Sequence, residues 1–198
     1  MSYFKNFRTQ ILAIVLLLFA LIQQSFADNS PENFISSVSN QTLTIIRSKD
    51  SEKKKITKLE KVFNSSVDVD WMAKFAIAKF WKSMSPEQKK SYLAAYRKYL
   101  IKTYVPRLKE YNNQEIKISG TKDMGDGQYV VSTQIVTVKG GEKNTINISY
   151  RCKQDGDKFQ IRDIIGEDFS LLATQRSEFA SVITSGGIDK LIKTLSEK

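Results

Sequence analysis

The sequence predicts an α+β fold, a four-stranded antiparallel meander sheet packed against helices from both ends of the chain. Apolar residues recur at helical spacing up to Leu108 and again after Asp168, and between those points the period drops to two. The turn signals inside the alternating stretch, Gly125-Asp126-Gly127, Gly140-Gly141 and Asp155-Gly156-Asp157, are short enough to make antiparallel hairpins. Helices and strands therefore segregate along the chain, the pattern of one sheet covered by helices.

The first 27 residues stand outside this plan. Lys5 and Arg8 form a positive head, Ile11 to Ile22 is unbroken apolar sequence, and Ser25-Phe26-Ala27 places small residues at the two positions a signal peptidase reads. Residues 1–27 read as a secretory signal peptide. As a helix the apolar run spans only about 18 Å, short of the roughly 30 Å hydrocarbon layer of a bilayer. No cysteine stands at the cleavage point to carry a lipid anchor. Residues 28–198 are then expected to form a single soluble domain outside the cytoplasm.

Asn29 or Ser30 followed by Pro31 starts the first helix, with Phe34, Ile35, Val38, Ile45 and Ile46 on one face. Ile56, Leu59, Val62 and Phe63 mark a second helix beneath the run Lys53-Lys54-Lys55, Lys58 and Lys61. Asp68 or Asp70 can cap a third, which carries Trp71, Met72, Phe75, Ala76, Phe80 and Trp81. Ser85-Pro86-Glu87-Gln88 has the spacing of a capping box and opens a long helix with Tyr92, Tyr96, Tyr99, Leu100 and Tyr104, which Pro106 kinks or ends. Residues 115–119, 128–138, 143–152 and 158–165 read as the four strands. In the third, Ile146, Ile148, Tyr150 and Cys152 alternate with Asn147, Ser149 and Arg151. A helix with Leu171, Leu172, Phe179 and Ile183 runs to Gly186-Gly187, and a last short one carries Ile188, Leu191, Ile192 and Leu195.

Composition narrows the function. The 198 residues include 31 Lys plus Arg against 21 Asp plus Glu, a formal charge of +10; loss of the leader, with Lys5 and Arg8, leaves +8. The absence of histidine excludes His-based triads, proton shuttles and His metal sites, and the lone Cys152 can form neither an internal disulfide nor a multi-cysteine metal site. Cys152 reads as a small buried hydrophobe, with no histidine to activate it. The chain shows no glycine-rich phosphate loop, nucleophile elbow or defensible carboxylate pair, so no enzyme, cofactor or metal is expected. Lysines greatly outnumber arginines, and point charges of this kind suit anionic headgroups or acidic partners better than base recognition. With export, this argues against nucleic acid. The lysine run is read as a solvated helix face, with a docking surface as the alternative.

Two stretches carry a family likeness. Residues 69–108, VDWMAKFAIAKFWKSMSPEQKKSYLAAYRKYLIKTYVPRL, and residues 150–195, with DIIGEDFSLL, TQRSEFASVI and GGIDKLIKTL, resemble the MlaC family. These are periplasmic phospholipid-binding shuttles of the Gram-negative lipid-asymmetry pathway, also called toluene-tolerance auxiliary proteins. Ser85, Pro86, Gln88, Tyr104, Tyr150, Asp163, Glu167, Ser170, Arg176, Phe179 and Gly187 sit where that pattern expects them. Ala78 departs from a frequent glycine, a change read as one added methyl group in a helix, and Asp168 departs from the glycine of an EGVS motif.

The resemblance implies an apolar pocket between the sheet and the helices that takes acyl chains and leaves the headgroup at its mouth. Leu100, Tyr104, Ile135, Ile146, Ile148, Tyr150, Leu171 and Leu172 are the expected lipid-binding lining, with filled core as the alternative for each and Met72 and Phe75 as weaker candidates. The tyrosines of the long helix have apolar bodies and polar tips that suit a greasy cavity meeting water. Asp163, Glu167 and Arg176 are expected as a structural charge cluster at the sheet-to-helix junction; alternatively Arg176 orients a phosphate. Trp71 and Trp81 read as packing residues. At about 0.8 kcal/mol per methylene, a two-chain phospholipid with about 28 methylenes resists entering water by on the order of 20 kcal/mol, so transfer needs an enclosed apolar carrier. The implied partners are an inner-membrane ABC transporter with an MlaD-like MCE-domain ring and an MlaA-like outer-membrane lipoprotein complex, met by a monomeric periplasmic carrier. The alternative is an envelope adaptor without lipid, docking through its basic face.

Overall fold

The computed structural model describes residues 29–110, 115–139 and 142–198. The expected signal peptide and the Gly140-Gly141 turn lie outside the described residues. Ser30 caps α1 (Pro31–Arg47), its hydroxyl accepting from the Asn33 amide. In α2 (Glu52–Ser66) only Leu59 and Ser66 are buried, and the lysine run does local work. Lys55 donates to the carbonyl of Ile46 at the end of α1, and Lys58 pairs with Asp50 at 2.5 Å, which lowers the Asp50 pKa. Asp68 caps α3 (Val69–Ile77), pairs with Arg162 at 2.8 Å, and through its backbone amide donates to Ile161, so one residue starts the helix and docks it on the sheet.

A 3-10 segment (Ala78–Ser83) leads to α4 (Pro86–Tyr104), which begins in the expected capping box. Proline has no amide hydrogen to continue the helix, and a second 3-10 segment (Pro106–Glu110) follows. The strands β1 (Glu115–Asp123), β2 (Gln128–Lys139), β3 (Glu142–Asp155) and β4 (Lys158–Gly166) pair antiparallel in chain order. β1 runs four residues beyond its expected end because a bulge between Ile118 and Gly120 lets pairing resume.

The sheet has five strands, not four. β5 (Phe169–Ser170) folds back on β4, with Ile165 opposite Ser170 and Gly166 opposite Phe169. Glu167 and Asp168 make that turn with φ of 46° and 69°, the left-handed pair that a two-residue hairpin requires. Glu-Asp does not read as a hairpin signal, which is why the strand was not expected. Helix α5 (Leu171–Glu197) is interrupted at Gly187, φ 78° and ψ 176°, so the two expected C-terminal helices are joined across a kink.

Among the described residues, all but a few of the buried apolar side chains form three clusters. The largest joins α3, α4 and α5; a second sets Ile35 of α1 against Val131, Cys152, Phe159 and Ile161; a third holds Ile46, Leu59 and Val105 where α1, α2 and the end of α4 meet.

Candidate functional site

Strand register assembles one apolar face. Ile116 stands opposite Ile135, which stands opposite Ile146; Ile118 faces Thr133, which faces Ile148; Val131 faces Tyr150, which faces Ile164. The period of two puts these side chains on one side of the sheet. Thr133 fits there because its hydroxyl donates to the Ile148 carbonyl at 2.9 Å, leaving its methyl group to the apolar side. The opposite face is polar, with the Ser132 and Ser149 hydroxyls 3.0 Å apart and the Gln134 amide donating to Asn147. The alternation expected of β3 is thus present.

Cover over this face is uneven. At the β1–β2 hairpin end, Val131 and Cys152 are fully buried beneath α1 and its Phe34–Phe159 ring contact. Burial raises the Cys152 thiol to about 12, as suits a packing residue. Toward the other end Ile116, Ile118, Ile146 and Ile148 are only half-buried. Ile148 lies over Gly166, its Cδ1 3.3 Å from where a β-carbon there would stand, so a side chain at 166 would press into this face.

The eight expected lining residues fall into two groups. Leu100 and Leu172, 1% and 2% exposed, sit inside the helical cluster, and Tyr104 is half-buried at its edge. Tyr150 is half-buried against the sheet cluster. Ile135 is buried, Ile146, Ile148 and Leu171 are half-buried, and none of these four belongs to any of the three clusters. Two clefts of about 430 Å³ open elsewhere, one between Ala76–Phe80 and α5, one on α1 beside Ser37 and Thr44. Both are lined by helical residues alone.

The tyrosines of α4 depart from expectation. Tyr92 and Tyr96 are wholly buried, the first donating to the Ala73 carbonyl at 2.9 Å and the second to Gln175 Oε1 at 2.6 Å. Their hydroxyls cross-link α3, α4 and α5 rather than face water, and burial raises both pKa values. Burial, then Tyr104 nearby, raises Tyr99 to about 12.

Asp163, Glu167 and Arg176 do not form one cluster. Asp163, 3% exposed, accepts from the Ile164 and Leu172 amides and the Ser170 hydroxyl, pinning the start of α5 to β4. The cap itself is Ser170, whose hydroxyl accepts from the Ala173 amide. Glu167 instead accepts from the backbone amide of Asn147 on the neighbouring β3. Arg176 lies over the Phe75 ring at 5.0 Å. Trp71 stacks on Phe75 and has Arg162 over its ring, and Trp81 takes Lys74 and Lys89 over its ring. Sequence reasoning passed over Gln175, although its spacing from Leu172 and Phe179 places it on the buried stripe of α5. Among the described residues no group of His, Cys, Asp or Glu could hold a metal ion, and no helix is long and apolar enough to cross a membrane.

A family model described as MlaC protein matches residues 36–197. The intermembrane phospholipid transport system binding protein MlaC of Haemophilus influenzae is 21% identical over 193 residues, 94% of this chain and 90% of that protein. Toluene tolerance protein ttg2D of Pseudomonas putida is 26% identical over 138 residues, 69% of this chain and 62% of its own length. A phospholipid-binding protein from Ralstonia solanacearum, solved in complex with a phospholipid, shares the fold with a TM-score of 0.70 and 23% identity, over 83% of this chain and 93% of the other.

Proposed function

The chain belongs to the MlaC protein family, and from that premise we propose that it is a periplasmic phospholipid carrier, not an enzyme, that moves lipid between outer- and inner-membrane complexes and so maintains outer-membrane asymmetry. The observation that carries this reading is the partly covered apolar face of the sheet. Ile116, Ile118, Ile146 and Ile148 are left half-buried beside a helical cluster that is closed. Acyl chains laid against that face would complete its burial. Walls of aliphatic side chains hold tails without a directional lock, so the grip can match a bilayer's and release to an acceptor. The relatives named for phospholipid transport and phospholipid binding support the same cargo. Delivery would use an MlaD-like ring of an ABC transporter on one side and an MlaA-like lipoprotein complex on the other.

Native mass spectrometry of the purified protein tests the proposal. A stoichiometric phospholipid is expected, and Ile148→Glu should lose at least about nine-tenths of it while staying folded, because a charge there can still reach water. An empty wild-type protein, or a variant that unfolds, would instead mark the face as filled core.

A further inference from the structure

Gln175, 2% exposed on α5, has half of its amide satisfied. Its Oε1 accepts from the Tyr96 hydroxyl at 2.6 Å. The phenol is the donor in that bond, so the amide presents its oxygen to Tyr96 and leaves its nitrogen to another partner. The nitrogen, Nε2, is buried and meets no acceptor among the described residues. The buried carboxylate of Asp163 accepts from Ile164, Leu172 and Ser170 and not from Nε2. Buried donors are almost always paired, so this orphan points to an acceptor that arrives with a ligand.

The place is suggestive as well. Gln175 is one helical turn beyond Leu171, the half-buried residue of the expected lining that belongs to none of the three clusters. The chemistry of the acceptor follows from burial. A phosphate keeps its charge in water, and a fatty-acid carboxylate would bury a charge against a neutral amide. The acceptor that accompanies acyl tails into an apolar site is an ester carbonyl.

We infer that Gln175 is the hydrogen-bond anchor for an acyl-ester carbonyl of the bound lipid, an assignment that rests on the carrier reading above. Lipid-stripped protein offered equal amounts of a diacyl-ester phosphatidylglycerol and its chain-matched dialkyl ether should load the ester with a preference of roughly tenfold, the worth of one net hydrogen bond at its upper range. Gln175→Met, close in shape and without the donor, should load both equally. A wild type without preference, or a variant that keeps it, overturns the assignment. Should the variant not fold, the side-chain amide resonances of Gln175 in wild type decide the matter. They should shift on loading the ester and not the ether, and no difference overturns the assignment, as would an ordered water on Nε2 in the lipid-loaded protein. If neither lipid loads, the carrier reading falls and this one with it; equal loading removes this one alone.

Discussion

Sixteen buried residues of α3, α4, α5 and their connection close one cluster, whereas the sheet gives only Val131, Cys152, Phe159 and Ile161 to its own. On the helical side Ala73 and Ala76, both 0% exposed, let helices approach closely, and the Tyr92 and Tyr96 hydroxyls find partners inside. On the sheet, large aliphatic side chains of β1 and β3 stay half-covered. Full burial of an isoleucine is worth about 1.5–3 kcal/mol, so a chain shaped for stability alone would cover them. The contrast separates a helical half with a large buried core from a sheet face that is only partly covered.

Alkaline titration should break the closed half first and by the largest margin. Tyr92, Tyr96 and Tyr99 all have pKa values raised by burial above the ordinary 10.0. The unfolded chain gives up these protons at lower pH than the folded one, so it binds fewer protons and stability falls as pH rises above about 10. The slope is about 1.4 kcal/mol per pH unit for each group past its unfolded pKa, which sums to on the order of 4 kcal/mol by pH 11. Urea midpoints measured from pH 8 to 11 check it; a flat profile would mean the helical half is far wetter than its packing.

Truncation sharpens the comparison directly. Leu100→Ala, inside the helical cluster, should cost about 3 kcal/mol, and Ile148→Ala, on the half-covered face, less than about 1 kcal/mol in the lipid-free protein. Equal losses in urea denaturation would erase the distinction between the two regions.

Much of this was legible in the chain. Helix starts with a side-chain cap and a proline at N1, at Ser30 and Ser85, were visible because local chemistry sets them. The two faces of β3 follow from alternation alone. What the sequence hid depends on distant partners. Tyr96 looks like a surface tyrosine until Gln175 arrives from 79 residues away. Asp163 looks like one of three junction charges until the first turn of α5 folds onto it. For the lining, period shows which way Ile146 and Leu100 point but not whether other residues of the chain fill the space they face, and the structure places one in a half-covered face and the other in closed core.

The smallest expected effect concerns the joints between the two regions. Ala78 was read as a methyl group added within a helix, but it is the residue after α3, with φ 35° and ψ −102°, a conformation a β-carbon disfavours. Asp168, at φ 69°, occupies the second left-handed position of the β4–β5 turn, where aspartate is tolerated less well than glycine. Both keep a glycine-like backbone without the residue that suits it. Strain of this kind is on the order of 1–3 kcal/mol, and the added chain entropy of glycine offsets about 0.5–1 of it. Ala78→Gly should therefore stabilise by about 1 kcal/mol and Asp168→Gly by about half that, seen as higher urea midpoints at unchanged slope. Because neither side chain belongs to the sheet face, phospholipid loading should stay at the wild-type level in both; a change in loading with Asp168→Gly would mean that the turn, and Phe169 beside it, shapes the site as well as the fold.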